Sequence, residues 1–185
     1  GRSEAFIEKF LPDHVRVQPA ADPFYTAIAH YSTYVSKNQP KEIALTRFIQ
    51  EHKCRPAIVF VEEPRLQYHL ERFLVEHGVR AVTVSREGSK AQRQNHLDAF
   101  RDGDATVLLT TDAIARGLDV PDVDWVLHYD LPGTSQAYVH RAGRTGRAGR
   151  QGTSVVFVDD ASSGHLNRLA RELRLKFKSM DARKA

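Results

Sequence analysis

The chain has 185 residues, of which 41% are hydrophobic and 27% are charged, and it carries a formal net charge of +4. These values fit one globular domain with a substantial core, and the basic balance favours an anionic partner. The single cysteine excludes an internal disulfide, fits a reducing intracellular compartment and cannot form a zinc site. No apolar run approaches the ~20 residues that span a bilayer, so we expect no membrane partner.

The hydrophobic pattern alternates between short strand-like runs and longer helix-like periods. We predict a lead-in and linker at residues 1–23, with a short helix at 4–11, and a basic tail at 176–185. Between them, predicted strands lie at 28–35, 57–61, 80–84, 106–109, 125–129 and 153–158. Predicted helices lie at 40–52, 64–78, 90–100, 112–116, 135–142 and 165–175. This alternation predicts an α/β domain at 24–175, with a mostly parallel sheet and helices on both faces.

Polar segments follow the ends of several predicted strands. They cover residues 62–64, 85–93, 110–119 and 131–150. Because ligands of parallel α/β sheets bind beyond the carboxyl ends of the strands, we expect these segments to share one edge and form a site there.

Arginine and glycine recur with a period of three in the segment 138–150, and no acid lies between Leu131 and Val158. Each glycine inside a helix costs about 1 kcal/mol relative to alanine, so we expect a helix from Ser135 to end at Ala142 or Gly143. The later arginines would then lie on a tight, glycine-shaped turn. Unneutralised guanidinium groups in such a turn suit a polyanion, because arginine grips phosphate oxygens with two parallel hydrogen bonds.

A disordered Gly/Arg tract that binds RNA without folding is the alternative interpretation of this segment. That interpretation predicts low complexity on both sides. The flanks are instead strand-like, with W-V-L-H-Y at 125–129 and T-S-V-V-F-V at 153–158. We therefore expect a site within a folded domain.

The segment 110–121 reads T-T-D-A-I-A-R-G-L-D-V-P. After a buried strand, its Thr or Asp side chain serves at least as the N-cap of a short helix. The same helix start is able to hold an anion, and Gly117 allows a sharp return of the chain. The residues alone leave both interpretations open.

Two of these segments carry a family resemblance. H-R-A-G-R-T-G-R at 140–147 resembles motif VI of the DEAD-box RNA helicases, and the segment 110–121 closely resembles their motif V. The resemblance covers about residues 29–159 and implies the C-terminal RecA-like domain of such a helicase. It also implies ATP as cofactor, RNA as a partner with little sequence specificity, and Mg²⁺ held by an N-terminal RecA-like domain outside this chain.

The resemblance assigns roles at the nucleotide to five positions. Arginine fingers fall on Arg144 and Arg147, which would neutralise charge on the γ-phosphate during attack by water. A contact with the ATP ribose falls on Asp119, in a loop shaped by Arg116 and Gly117.

Further implied roles concern RNA and the partner domain. Thr111 would touch an RNA phosphate, while His140 and Arg141 would link the nucleotide site to the N-terminal domain. Without the resemblance, His140 is equally well explained as a histidine at the core edge that bonds to backbone. The strand 57–61 resembles motif IV, and we expect its Phe60 to be a packing residue.

The RNA-facing loop departs from the family pattern. It usually reads H-G-D-x-x-Q-x-x-R, whereas this chain reads S-R-E-G-S-K-A-Q-R, which keeps Arg93 and introduces Arg86 and Lys90. Two acids, Glu62 and Glu63, follow the predicted strand where threonine is common. We hypothesise that ATP handling is intact, and that RNA is held by Thr111 and Arg93 together with the altered contacts of Arg86 and Lys90.

No G-x-x-x-x-G-K-[S/T] loop and no D-E-A-D tetrad occur in the sequence. We therefore expect the chain alone not to hydrolyse ATP and to act as half of a two-domain enzyme. One alternative is a catalytically inactive, helicase-derived RNA-binding or scaffold subunit. Another is a DNA helicase of the same superfamily, although the His-Arg opening of motif VI argues against it.

Overall fold

The computed structural model describes residues 22–180, so the predicted helix at 4–11 lies outside the described residues. The strands are β1 (Ile28–Tyr34), β2 (Ala57–Phe60), β3 (Ala81–Thr83), β4 (Val107–Thr110), β5 (Trp125–His128), β6 (Gly152–Val158) and β7 (Lys178–Ser179). The helices are α1 (Pro23–Thr26), α2 (Lys41–His52), α3 (Pro64–Glu76), α4 (Lys90–Arg101), α5 (Asp112–Arg116), α6 (Ser135–Ala142) and α7 (Ser163–Leu173).

The strands form one sheet in the order β3-β4-β2-β5-β6-β1-β7, and every pair is parallel. The predicted α/β fold is therefore confirmed. In β2, Val59 packs into a core cluster with α2 and α3, while Ile58 packs into a second cluster with α4 and α5. A third cluster joins β6 to α6 and α7 on that second face, so helices cover both faces of the sheet.

Two short elements lie in segments that the sequence predicts as connections. Helix α1 begins at Pro23 after an Asp22 N-cap, and β7 takes Lys178–Ser179 from the predicted tail into the sheet. The short strand forms because Tyr31 and Ser32 of β1 offer it backbone partners. The domain boundaries themselves remain predictions.

None of the helices within residues 22–180 is long and apolar enough to cross a membrane. The longest of them, α3, has 13 residues, well below the ~20 that a bilayer requires.

Candidate functional site

Three acidic residues lie side by side at the carboxyl edge of the sheet. Phe60 of β2 is paired with Thr110 of β4 and with His128 of β5. Two residues beyond each of these paired positions stand the carboxylates of Glu62, Asp112 and Asp130. The register of the parallel strands thus places an acid-rich rim directly opposite the arginine segment.

Arg141 of α6 occupies the centre of this rim. Its Nε and Nη2 donate to the two carboxylate oxygens of Asp112 at 2.6 and 2.8 Å. Nη2 also donates to Glu62 Oε1 at 2.5 Å, and Nη1 donates to the Asp130 carbonyl at 2.7 Å. The guanidinium lies 5.0 Å from the centre of the Phe60 ring. These contacts leave only 1% of the Arg141 side chain exposed.

The expectation of an unneutralised arginine series is therefore wrong at Arg141, and also at Arg150, whose Nη2 lies 3.1 Å from Asp124 Oδ1. The acids come from other strand ends, which explains why the local stretch contains none. The link between domains that the resemblance implies for Arg141 stays a prediction, because its guanidinium bonds within this domain.

The two carboxylates that share Arg141 have opposite pKa shifts. Burial raises the pKa of Glu62, and its hydrogen bond with Asp112 adds to that rise. Burial also acts to raise the pKa of Asp112, but the Arg141 guanidinium outweighs it and holds that pKa below its usual value. Asp112 is therefore the firm ionic partner of Arg141, and Glu62 is the acid that more readily takes up a proton.

Arg144 and Arg147 are different, since neither has a carboxylate partner within residues 22–180. Arg144 Nη2 donates to the carbonyl of Ala115 at 2.9 Å, and Arg147 Nε donates to the carbonyl of Gly143 at 2.7 Å. Burial and the neighbouring Arg147 lower the pKa of Arg144, although a guanidinium stays charged. Two neighbouring positive charges, each held by a hydrogen bond to a backbone carbonyl, suit an anionic ligand.

The turn that carries these arginines is shaped by glycine, as predicted. Helix α6 ends at Ala142, and Gly146 then takes a φ of +70°. A Cβ on Gly146 would lie 2.6 Å from Ile28 Cγ1 and 3.2 Å from the Ala27 carbonyl oxygen, so a larger residue does not fit. The segment is folded, and the alternative of a disordered Gly/Arg tract is excluded.

A cavity of about 80 Å³ opens between α5 and α6. Its lining includes Asp112, Arg116, Gln136, His140 and Arg144. His140 is exposed on this side of α6. Burial, followed by the charges of Arg116 and Arg144, lowers its pKa, so the imidazole is neutral near pH 7. Arg116, from the segment that resembles motif V, and Arg144, from the segment that resembles motif VI, thus line the same cavity.

Thr111 is the N-cap of α5, because its Oγ1 accepts a hydrogen bond from the Ile114 N–H at 3.3 Å. Gly117 ends the helix with a φ of −91°, which any residue adopts, so the backbone here does not require glycine. Asp119 lies beyond it with a fully exposed carboxylate, 3.7 Å from Arg101 Nη2.

The loop after β3 carries a further group of cations, two strands away from β2 and three from β5 along the sheet. Arg93 Nη1 donates to the Gly88 carbonyl at 2.8 Å and so braces the loop from α4. Arg86 and Lys90 are exposed. The structure thus brings Arg116, His140 and Arg144 together at one cavity, which Arg86, Lys90 and Arg93 do not line.

A buried polar network beneath α6 was not predicted from the sequence. His30 Nε2 bonds to the Phe24 carbonyl at 2.8 Å, and His30 Nδ1 bonds to the Tyr138 hydroxyl at 2.6 Å. Ser154 Oγ lies 3.0 Å from that hydroxyl and 2.9 Å from His128 Nε2. The members come from five separate elements, so only the topology of the sheet brings them together.

Stability is expected to depend on pH through this network. Burial lowers the pKa of His30 from 6.5 to about 4. Between these values the unfolded chain binds more protons, so the free energy of unfolding falls as the pH is lowered, by up to ~1.4 kcal/mol per pH unit. We expect His30→Gln to flatten this dependence while buried His128 preserves the remainder. Urea unfolding between pH 4 and 7.5 measures the free energy of unfolding of both proteins. An equal dependence on pH in His30→Gln and the unmodified protein would contradict the prediction.

The parallel sheet and its arginine-lined carboxyl edge define a RecA-like α/β domain. Residues 40–149 match the family described as the helicase conserved C-terminal domain. The chain is 36% identical over 157 residues to the ATP-dependent RNA helicase SrmB of Haemophilus influenzae, covering 83% of this chain and 35% of that protein. It is 34% identical over 177 residues to the DEAD-box ATP-dependent RNA helicase CshA of Bacillus cereus, covering 95% of this chain and 33% of that protein.

The comparison with solved structures also finds DEAD-box proteins. The C-terminal domain of the DEAD-box protein Dbp5 superposes with a TM-score of 0.78 at 28% identity, covering 85% of this chain and 92% of that one. Escherichia coli SrmB bound to the regulator of ribonuclease activity A superposes with a TM-score of 0.77 at 29% identity, covering 83% and 90%. The chain belongs to the DEAD-box RNA helicase family and corresponds to the C-terminal domain of these proteins. It spans about a third of the length of the curated relatives it matches.

Proposed function

We propose that the parent protein is an ATP-dependent RNA helicase in which this domain supplies two arginine fingers, a ribose contact and part of the RNA-backbone site. The observation that carries the proposal is the pair Arg144 and Arg147, held by backbone carbonyls and without a carboxylate partner in the described part of the chain. Cations so placed are free to neutralise charge on phosphate oxygens.

The residues present fit an ATP molecule whose phosphates reach this edge from an upstream domain. Arg116, His140 and Arg144 line one cavity, and the exposed Asp119 carboxylate is able to accept hydrogen bonds from ribose hydroxyls. ATP, when bound, supplies the γ-phosphoryl group that is transferred to water. We assign Mg²⁺ to the upstream domain, as the family resemblance implies; residues 22–180 contain no cluster of three or more His, Cys, Asp and Glu side chains that could hold a metal ion.

RNA would contact the group of cations in the loop after β3. One relative with the same fold, Saccharomyces cerevisiae Dbp5, has been solved bound to RNA and ADP BeF3, at a TM-score of 0.78 and 27% identity. In this chain, exposed Arg86 and Lys90 offer positive charge to a phosphate backbone, and Arg93 braces the loop between them. Contacts with phosphates carry little sequence information, so we propose weak sequence preference.

RNA-stimulated ATP turnover by the parent chain, together with separation of a short RNA duplex, tests this proposal. Turnover that requires RNA supports it, with the 185-residue chain alone expected to be inactive because it has no phosphate-binding loop. RNA binding without turnover would overturn it in favour of a helicase-derived scaffold. Stimulation by DNA rather than RNA would indicate a DNA helicase.

The loop contribution is tested by Arg86→Gly combined with Lys90→Gln. Both side chains are exposed, so their loss is expected to weaken RNA binding without unfolding the domain. The plot of log affinity against log salt should become less steep by about 1.4, since each lost contact with single-stranded phosphate contributes about 0.7. Fluorescence anisotropy with a labelled RNA at several salt concentrations measures both effects.

The matched control is Arg47→Gln combined with Lys53→Gln, which removes the same charge from the exposed surface of α2 and its C-cap. This control should bind RNA nearly as the unmodified protein does. Equal weakening by both double variants would show that net charge, rather than the loop, sets the affinity. Tighter binding by the loop variant would contradict the assignment.

A further inference from the structure

Helix α1 is joined to the arginine segment through buried side chains. Phe24, His30, Tyr138 and Ser154 are all 7% exposed or less, and His128 is fully buried. The hydrogen bonds among them run without a break from the backbone of α1 to the underside of α6. Residues 1–23 are the predicted lead-in and linker, so α1 lies where the predicted linker meets the domain.

The protons of this network have one consistent arrangement. The Phe24 carbonyl accepts only, so His30, which is neutral at pH 7, carries its hydrogen on Nε2. His30 Nδ1 must then accept from the Tyr138 hydroxyl at 2.6 Å. In the same direction, Tyr138 accepts from the Ser154 hydroxyl, and Ser154 accepts from His128 Nε2–H. A replacement for His30 therefore needs both a donor and an acceptor.

A second contact ties α1 to the turn that follows α6. The carbonyl of Ala27 accepts a hydrogen bond from the Gly152 N–H at 2.8 Å. The same carbonyl and the Ile28 side chain pack so closely against Gly146 that no Cβ fits there. Tyr138 precedes Arg144 along the chain and Gly146 follows it, so α1, its C-cap and the start of β1 contact the chain on both sides of Arg144.

Tyr138 also lies one helical turn before Arg141. Both side chains are buried and three residues apart, so they share one face of α6. His128 stacks on the Tyr138 ring at 5.0 Å, and on its other neighbour Phe60 at 6.1 Å. Phe60 lies in turn beneath the Arg141 guanidinium. His30 is thus connected to His128 by hydrogen bonds, and His128 is connected to Arg141 through the ring of Phe60.

We infer that His30 is a positioning residue, which couples the chain segment that enters the domain to the orientation of α6 and hence of Arg144 and Arg147. The inference rests on the proposed function for its catalytic consequence. Through this coupling, we expect a shift of α1 to move the fingers with it.

The test compares His30→Phe with His30→Gln in the parent protein. Phenylalanine fills the space but makes neither hydrogen bond, whereas glutamine has one amide donor for Phe24 and one oxygen acceptor for Tyr138. We expect His30→Phe to lower the RNA-stimulated kcat by about 10- to 100-fold, the scale of a misplaced catalytic group, with an unchanged KM for ATP. His30→Gln should restore most of the kcat.

Thr46→Val is the matched control, since it removes one buried hydrogen bond from α2 on the opposite face of the sheet. A wild-type kcat in His30→Phe, or an equal loss in Thr46→Val, overturns the inference. If the unmodified parent protein shows no RNA-stimulated turnover, the proposed function fails instead. Amide hydrogen exchange of the 185-residue chain then decides the coupling: His30→Phe should speed exchange at residues 139–144 more than in β4, and equal changes overturn it.

Discussion

Replacing Arg144 with alanine is expected to lower the RNA-stimulated kcat of the parent protein by about 10³-fold or more. The Arg144 guanidinium is half-buried, is aimed by its bond to the Ala115 carbonyl and has no carboxylate to neutralise it within residues 22–180. Its charge is therefore available for the phosphoryl group in the transition state. Because the interaction is strongest there, kcat should fall more than the affinity for ATP. Steady-state ATP turnover at saturating RNA measures the effect.

Arg150→Ala is the matched control, since Arg150 belongs to the same period of three but is exposed and paired with Asp124. It should retain nearly full turnover. Arg144→Lys keeps the charge but loses the planar fork, so we expect it to recover only part of the rate. If Arg144→Ala turns over ATP at the wild-type rate, Arg144 is not an arginine finger.

Replacing Arg141 with methionine is expected to destabilise the domain by about 3–5 kcal/mol, the cost of removing one partner from a buried ion pair. Methionine fills much of the same volume, but it leaves Asp112 and Glu62 next to each other without their shared cation. The Asp130 carbonyl also loses its donor. Urea unfolding of the 185-residue chain at pH 7, followed by circular dichroism, gives the free energy of unfolding.

Two variants separate the charge of this cluster from its geometry. Arg141→Lys retains the charge but cannot reach Asp112 with two parallel bonds, so it should recover little stability. Glu62→Gln should cost far less than either, because half of the Glu62 side chain is exposed and its pKa is raised. Should Arg141→Met unfold at the wild-type urea concentration, the cluster contributes nothing to stability.

The strands of the fold follow from local pattern. Apolar runs such as A-I-V-F become strands buried on both faces, and no predicted strand limit differs from the observed one by more than one residue. The two-residue strand β7 could not be predicted in this way. Lys178 and Ser179 have no strand pattern of their own and pair only because β1 has a free edge.

The site was predictable to the extent that it is local in sequence. The end of α6 at Ala142 and the positive φ of Gly146 follow from glycine chemistry in the segment itself. The partners of Arg141 do not, since Glu62 and Asp112 stand 79 and 29 residues away from it. Only the register of β2, β4 and β5 makes them neighbours. The register between parallel strands cannot be predicted from any single segment of the sequence.

The buried histidines show the same limit in another form. His30 and His128 lie in strands with ordinary hydrophobic patterns, where neither is distinguished from a surface residue. Their roles depend on β6, which lies between β1 and β5 and brings Ser154 within reach of both the Tyr138 hydroxyl and His128. A single sequence gives no signal for such a contact across three strands.

Within residues 22–180 the sheet ends on both sides in its shortest strands, β3 with three residues and β7 with two. An edge strand exposes unpaired backbone groups that invite another chain to add to the sheet, and its capacity to do so grows with its length. Both residues of β7 are exposed, and one of them is Lys178, whose charge opposes the approach of a second copy. The brevity of its outer strands therefore protects the domain from edge-to-edge aggregation, even when it is produced apart from the rest of its protein.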